Sequence, residues 1–92
     1  MKHINWNTGK SHALKESRGI SFEDVIFYLE KGDLLDDYQH PNQQKYPGQR
    51  IMVVCINKYA YIVPYIENED DIFLKTIIPS RRATEKYLGG KP

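Results

Sequence analysis

The sequence predicts an α+β domain, with two amino-terminal helices and one carboxy-terminal helix on one face of an antiparallel sheet of four to five strands. Apolar residues recur at helical spacing near the amino terminus, and β-branched and aromatic runs separated by short turns fill the middle. A serine suited to helix capping precedes the last helical segment. The 92 residues are enough for one modest core, so we expect a single domain over residues 1–92.

The amino-terminal third is expected to contain one short strand and two helices. Residues 4–6 form the strand, and residues 10–17 form a polar helix that ends at Gly19. Ser21 is a suitable N-cap for the second helix, and the acids that follow it suit the positive end of the helix dipole. Gly32 suits the position after that helix. Its apolar stripe follows the spacing i, i+3, i+4 and i+7, with Phe22, Val25, Ile26 and Leu29.

The remainder of the chain is typical of a meander followed by a helix. Strands are expected at residues 34–38, 49–56, 59–66 and 72–78, with a tight turn at Asn57 and Lys58. Residues 40–48 form a polar loop bounded by prolines, whose length suggests exposure. Pro79 ends the last strand, and Ser80 begins a helix over residues 80–88.

Composition excludes several classes of function. Cys55 is the only cysteine and lies within an apolar run, so we expect a buried side chain and no disulfide. The three histidines are scattered and match no metal-ligand spacing, so we expect neither a metal nor a cofactor. There is no signal peptide and no run of about 20 apolar residues, so we expect a cytoplasmic protein that does not contact a membrane. The sequence contains no helix-turn-helix pattern, so nothing in it favours a DNA-binding regulator.

The clearest functional signal is a pair of cations at the start of the last helix. Arg81 and Arg82 fall in the first turn after Ser80. A helix amino terminus carries positive partial charge, so each guanidinium there costs a few tenths of a kcal/mol up to about 1 kcal/mol. Such a conflict between sequence and stability often marks a functional site. Two arginines beside free backbone N–H groups are suited to bind phosphate or carboxylate.

Other basic residues concentrate at both ends of the chain, although the net charge is only +1. If the two ends meet, they form a local basic patch suited to RNA phosphates. Metal-free RNA cleavage needs a base for the 2′-OH, cations for the phosphorane and an acid for the leaving oxygen. A solubilising surface is the ordinary alternative for each residue taken singly. His40 and Tyr46, in the long loop, are candidates for proton donation or base stacking. The cationic candidates are Lys15, Arg18, Arg50, Lys75, Arg81 and Arg82.

Three segments, in the expected order, resemble the BrnT-type toxins of type II toxin–antitoxin systems. Residues 77–84, IIPSRRAT, are similar to the strand-to-helix signature IISARRAT of that family. Residues 18–25, RGISFEDV, resemble its HGVSFEEA segment. The opening INWN at residues 4–7, followed by Lys10, resembles its EWDPxK start.

The resemblance implies a RelE-like fold and an endoribonuclease toxin that arrests translation by metal-independent cleavage of RNA. It implies an antitoxin, often of the ribbon-helix-helix type, and binding of operator DNA only through the toxin–antitoxin complex. By position, Arg81 and Arg82 match the family's paired arginines that would hold the scissile phosphate. Arg50 matches an assisting arginine, Arg18 would assist, and Lys75 or a histidine would move protons.

The chain departs from the family pattern at two positions. Arg18 stands where members usually carry histidine, and Thr76 stands where many carry arginine. These departures leave the general base open. They also leave open an alternative, a catalytically degenerate module that only binds a protein partner or RNA.

Overall fold

Helices and strands follow one another in nearly the order that the sequence predicts. A computed structural model describes residues 2–89. The elements are β1 (His3–Asn5), α1 (Thr8–Arg18), α2 (Phe22–Glu30), β2 (Leu34–Gln39), β3 (Gln49–Ile56), β4 (Tyr59–Glu67), β5 (Asp71–Leu74), β6 (Ile78–Pro79) and α3 (Arg81–Leu88). The α+β class is confirmed. Within residues 2–89, no helix has both the length and the apolar character needed to cross a membrane.

The strands form a mixed sheet in the order β1-β5-β4-β3-β2, with β6 also pairing with β4. The meander β2–β3–β4 is antiparallel, as expected. The prediction of a wholly antiparallel sheet is wrong at β1, which runs parallel to β5 with His3 opposite Asp71. A parallel pair needs a long crossover connection, and nearly the whole chain lies between these two strands. No local sequence pattern signals such a pairing.

The helices cover both faces of the sheet, so the expectation that they share one face is wrong. Met52 and Val54 of β3 pack in the core beneath α1 and α2. The alternate residues Ile51 and Val53 pack in a second core, together with Ala83 of α3. The apolar run of β3 has no polar alternation because both of its faces are buried.

The strand predicted at residues 72–78 is interrupted. Leu74 of β5 lies opposite Tyr65, and Ile78 of β6 lies opposite Ile62. Three residues, 75–77, therefore face two on β4, which is the signature of a bulge. The bulge turns Ile77 into the core at 1% exposure.

Caps explain where two of the helices begin. The side chain of Asn7 accepts a hydrogen bond from the backbone N–H of Lys10 at 2.8 Å, so α1 starts at Thr8, two residues earlier than predicted. Ser80 caps α3, as predicted, by accepting from the N–H of Ala83 at 3.0 Å. The buried Thr84 hydroxyl accepts from the N–H of Ala60 at 2.9 Å and so fixes α3 to β4.

Candidate nucleic-acid interface

A half-open groove of about 300 Å³ has its strand residues, Gln49, Pro64 and Ile78, on the face of the sheet that carries α3, and Lys10 reaches it from α1 on the other face. Its other residues come from the loop between β2 and β3 and from the bulge after β5. We call it the basic groove. Its lining residues are Lys10, His40, Tyr46, Gln49, Pro64, Lys75, Thr76 and Ile78.

The loop between β2 and β3 presents two rings to the groove, those of His40 and Tyr46. Their centroids lie 4.4 Å apart. The side chain of Gln43 holds the loop, because its amide donates to the carbonyls of His40 at 2.7 Å and Gln49 at 3.1 Å. The loop is therefore held in place by its own hydrogen bonds.

One nitrogen of the His40 ring is already engaged. The backbone N–H of Asn42 donates to Nδ1 of His40 at 3.0 Å. A nitrogen that accepts a hydrogen bond carries no proton, so in the neutral ring the proton lies on Nε2. His40 therefore has an N–H donor at Nε2 for a ligand in the groove.

Lys10 and Lys75 supply the positive charge of the groove. Within residues 2–89, neither ammonium group has a carboxylate within ion-pair distance. The Lys75 Nζ atom lies 5.8 Å from the centroid of the Phe73 ring. The backbone N–H of Lys75 donates to the carbonyl of Pro64 at 2.8 Å, which ties the bulge to β4. These two cations remain available to an anionic ligand.

A second, smaller hollow of about 150 Å³ adjoins the basic groove and contains Arg82, Lys86 and Tyr87 of α3. The two hollows are neighbours because Ile62 of the smaller one lies directly opposite Ile78 of the groove. Together they form one basic and aromatic surface.

The tandem arginines do not point the same way. Successive residues of an α-helix are rotated by about 100°, so the two side chains diverge. Arg82 lines the smaller hollow, and Arg81 is not among its lining residues. Both are exposed, and within residues 2–89 neither forms an ion pair. Arg82 instead shares a face with Lys86, one helical turn away.

Tyr87 anchors the end of α3 to β2. Its hydroxyl donates a hydrogen bond to the carboxylate of Asp36, which raises the pKa of Tyr87 to about 12. The same bond lowers the pKa of Asp36. The anchor keeps the helix that carries Arg82 against the sheet, beside the basic groove.

Arg50 lies on the opposite face of the sheet, away from the groove. Its Nε donates to the hydroxyl of Tyr65 at 3.1 Å, and its guanidinium lies 3.2 Å from the Asp37 carboxylate. The Tyr65 hydroxyl in turn donates to Asp37 at 2.8 Å. Desolvation by burial and the bond to Asp37 raise the pKa of Tyr65 to about 12. The bond to Tyr65 and the charge of Asp37 raise the pKa of Arg50. This trio links β2, β3 and β4.

Two further cations are engaged elsewhere. A guanidinium nitrogen of Arg18 donates to the carbonyl of Ile77, and so ties the end of α1 to the bulge. The ammonium of Lys15 lies 2.9 Å from the carboxylate of Asp24. Of the eight predicted site residues, the structure thus brings His40, Tyr46 and Lys75 into one groove, with Arg82 beside it. Lys15, Arg18, Arg50 and Arg81 lie elsewhere.

Sequence reasoning did not select Lys10 as a site residue. A usable signal was present, because Lys10 lies in the first turn of α1, which contains no acid. A cation there opposes the helix dipole in the same way as Arg81 and Arg82. The predicted start at Lys10 also puts this lysine in the first turn, so the same argument applied to the sequence.

Comparison of the chain with protein-family models, curated proteins and solved structures finds no match. Among residues 2–89 there is no group of three or more His, Cys, Asp or Glu side chains that could hold a metal ion. Function is therefore inferred from the chemistry of the groove, together with the sequence resemblance.

Proposed function

We propose that the protein is the toxin of a type II toxin–antitoxin system, a metal-independent endoribonuclease of RelE-like fold that blocks translation. The observation that carries this proposal is the basic groove, where Lys10 and Lys75 meet a histidine and a tyrosine. Unpaired cations bind the phosphates of RNA, and aromatic rings stack on its bases. The three segments that resemble the BrnT-type toxins support the same conclusion.

The proposed reaction is transfer of the phosphoryl group within the RNA strand. The 2′-oxygen loses its proton and attacks phosphorus, the bond to the 5′-oxygen breaks, and that oxygen takes up a proton. The products are a 2′,3′-cyclic phosphate and a free 5′-hydroxyl. Lys10 and Lys75 stabilise the charge on the phosphorane, which is the largest contribution that fixed cations make to such a reaction.

We assign His40 to the leaving-group side of the reaction. With Nδ1 engaged by the N–H of Asn42, its Nε2 carries a proton in the neutral ring. In this form Nε2 can donate a hydrogen bond to a phosphate oxygen. Transfer of a proton to the departing 5′-oxygen requires the imidazolium form, which returns to the neutral ring when the proton leaves. In the neutral tautomer Nε2 cannot accept the proton of the 2′-OH, so the general base is another group.

The partners follow from the same proposal. A cognate antitoxin, of the ribbon-helix-helix type common among such systems, binds the toxin and blocks the basic surface. Operator DNA is bound only by the toxin–antitoxin complex. The RNA substrate is cut either free or on the ribosome.

The test is cleavage of a defined RNA by the purified protein in excess EDTA, with detection of the cyclic phosphate. Lys75→Gln and His40→Ala are expected to lower the cleavage rate by about 10²-fold or more. The matched controls are Lys58→Gln in the β3–β4 turn and His12→Ala on α1, both exposed and outside the groove. The controls are expected to cleave as the unaltered protein does.

The outcomes separate the proposal from its alternative. Binding of RNA or of the antitoxin without any cleavage, and without growth arrest on expression alone, identifies the degenerate binding module. The ion pair of Arg50 with Asp37 favours that alternative, because it holds one of the predicted catalytic cations on the other face of the sheet. Cleavage that depends equally on the control residues contradicts the assignment of the site.

A further inference from the structure

An exposed aromatic ring lies beside the basic groove and is not needed for the proposed chemistry. Phe73 of β5 is 38% exposed, although its neighbour Leu74 is fully buried. Alternation along the strand puts Phe73 on the groove face, with Lys75 two residues and roughly 7 Å further along. The Lys75 ammonium lies 5.8 Å from the ring centroid. The ring is thus a partly exposed apolar surface, with the Lys75 ammonium over it.

The surroundings of Phe73 suit a nucleotide. Ile66 lies directly opposite on β4 and is 37% exposed, so a flat apolar patch continues across two strands. Asp71, on the side away from Lys75, is engaged by the amide of Asn5 at 3.1 Å. The charge of Lys75 therefore favours an anion next to its ammonium, and the exposed part of the ring favours an uncharged, flat group.

We propose that Phe73 is the stacking platform for an unpaired base of the RNA whose phosphate is bound by Lys75; this inference rests on the proposed function. A base adjoins each phosphate in a nucleic-acid strand, and every base has an aromatic face. In a duplex those faces are covered by neighbouring base pairs. The platform therefore makes the groove selective for single strands.

The experiment is fluorescence anisotropy with a labelled 2′-O-methyl oligoribonucleotide, which lacks the attacking hydroxyl and so reports binding alone. Affinity is measured for the single strand and for the same strand in a duplex. Phe73→Ala is expected to weaken binding of the single strand about 10-fold. Phe73→Trp retains or increases the affinity. The matched control is Phe27→Ala on α2, where the ring is 57% exposed on a different element.

Each outcome decides between the two proposals. Failure of the unaltered protein to bind either probe overturns the proposed function. Binding by the unaltered protein that Phe73→Ala leaves unchanged, or that it weakens equally for the duplex, overturns the stacking platform alone. Unchanged RNA binding with loss of the antitoxin complex would mean that the patch is a protein interface, which also overturns the inference. Thermal unfolding of each variant shows that it is folded.

Discussion

The variant Tyr65→Phe removes one hydroxyl group. It tests the hydrogen bonds that join Tyr65 to Asp37 and Arg50 on the face of the sheet opposite the groove. Tyr65 is 3% exposed, donates to Asp37 at 2.8 Å and accepts from Arg50 at 3.1 Å. Hydrogen bonds to charged groups contribute about 1.5–3 kcal/mol each, but the ion pair between Asp37 and Arg50 remains in the variant. We therefore expect a loss of about 1–2 kcal/mol in the free energy of unfolding at pH 7, and a melting temperature lower by roughly 4–15 °C.

The same variant also tests how the free energy of unfolding depends on pH. The pKa of Tyr65 is raised from its ordinary value of 10 to about 12 in the folded protein. A group whose pKa is higher when folded contributes stability below its unfolded pKa and loses it as pH rises through the folded pKa. Between pH 10 and 12 the unaltered protein therefore loses up to about 2–3 kcal/mol through this group, which the phenylalanine variant cannot lose.

The assay is urea denaturation of both proteins at pH values from 8 to 11.5, with unfolding monitored by circular dichroism. The unaltered protein is expected to be the more stable of the two near pH 8. The gap in unfolding free energy then shrinks above pH 10 and changes sign once the loss through Tyr65 exceeds the initial gap of about 1–2 kcal/mol. Tyr87 titrates in both proteins and cancels in the difference. RNA binding at pH 7 is expected to be unchanged, because the trio lies away from the groove. A gap of constant size at all pH values would refute this reasoning.

Three further outcomes are expected. Thr84→Val removes the acceptor of the buried N–H of Ala60, so urea denaturation should show a loss of about 1–3 kcal/mol in the free energy of unfolding. An unchanged denaturation midpoint contradicts the anchoring of α3 by Thr84. Arg82→Ala should lower the salt dependence of RNA affinity by about 0.7 in log–log slope, whereas Arg81→Ala, outside the lining of the smaller hollow, should not. Equal effects mean that both contact the strand. Lys15→Ala breaks an exposed ion pair and should change stability by no more than about 1 kcal/mol, with RNA affinity unaltered.

Local signals in the sequence predicted the helices and the meander well. The capping serines at 21 and 80 and the Asn57–Lys58 turn are short-range features, and the structure contains each of them. The parallel pairing of β1 with β5 joins segments nearly 70 residues apart, so no local pattern could reveal it. The bulge at residues 75–77 was also hidden, because the β-branched residues Thr76, Ile77 and Ile78 continue the strand pattern through it.

Short-range features also explain which part of the candidate site the sequence predicted. The length and polarity of the long loop, which are local properties, suggested His40 and Tyr46 as RNA-binding candidates, and the structure places both beside Lys75. Arg50 was chosen by residue type and position, but its partners Asp37 and Tyr65 come from neighbouring strands. Which face of the sheet a cation occupies, and whether a carboxylate reaches it, are set by strand register rather than by the sequence around it.

The most direct test of the basic groove as the RNA site is a map of backbone amide chemical shifts during titration with the 2′-O-methyl single strand. The groove predicts that the largest changes fall at Lys10, His40, Tyr46 and Lys75. Changes concentrated around Arg50, on the other face of the sheet, or no changes at all, would contradict it.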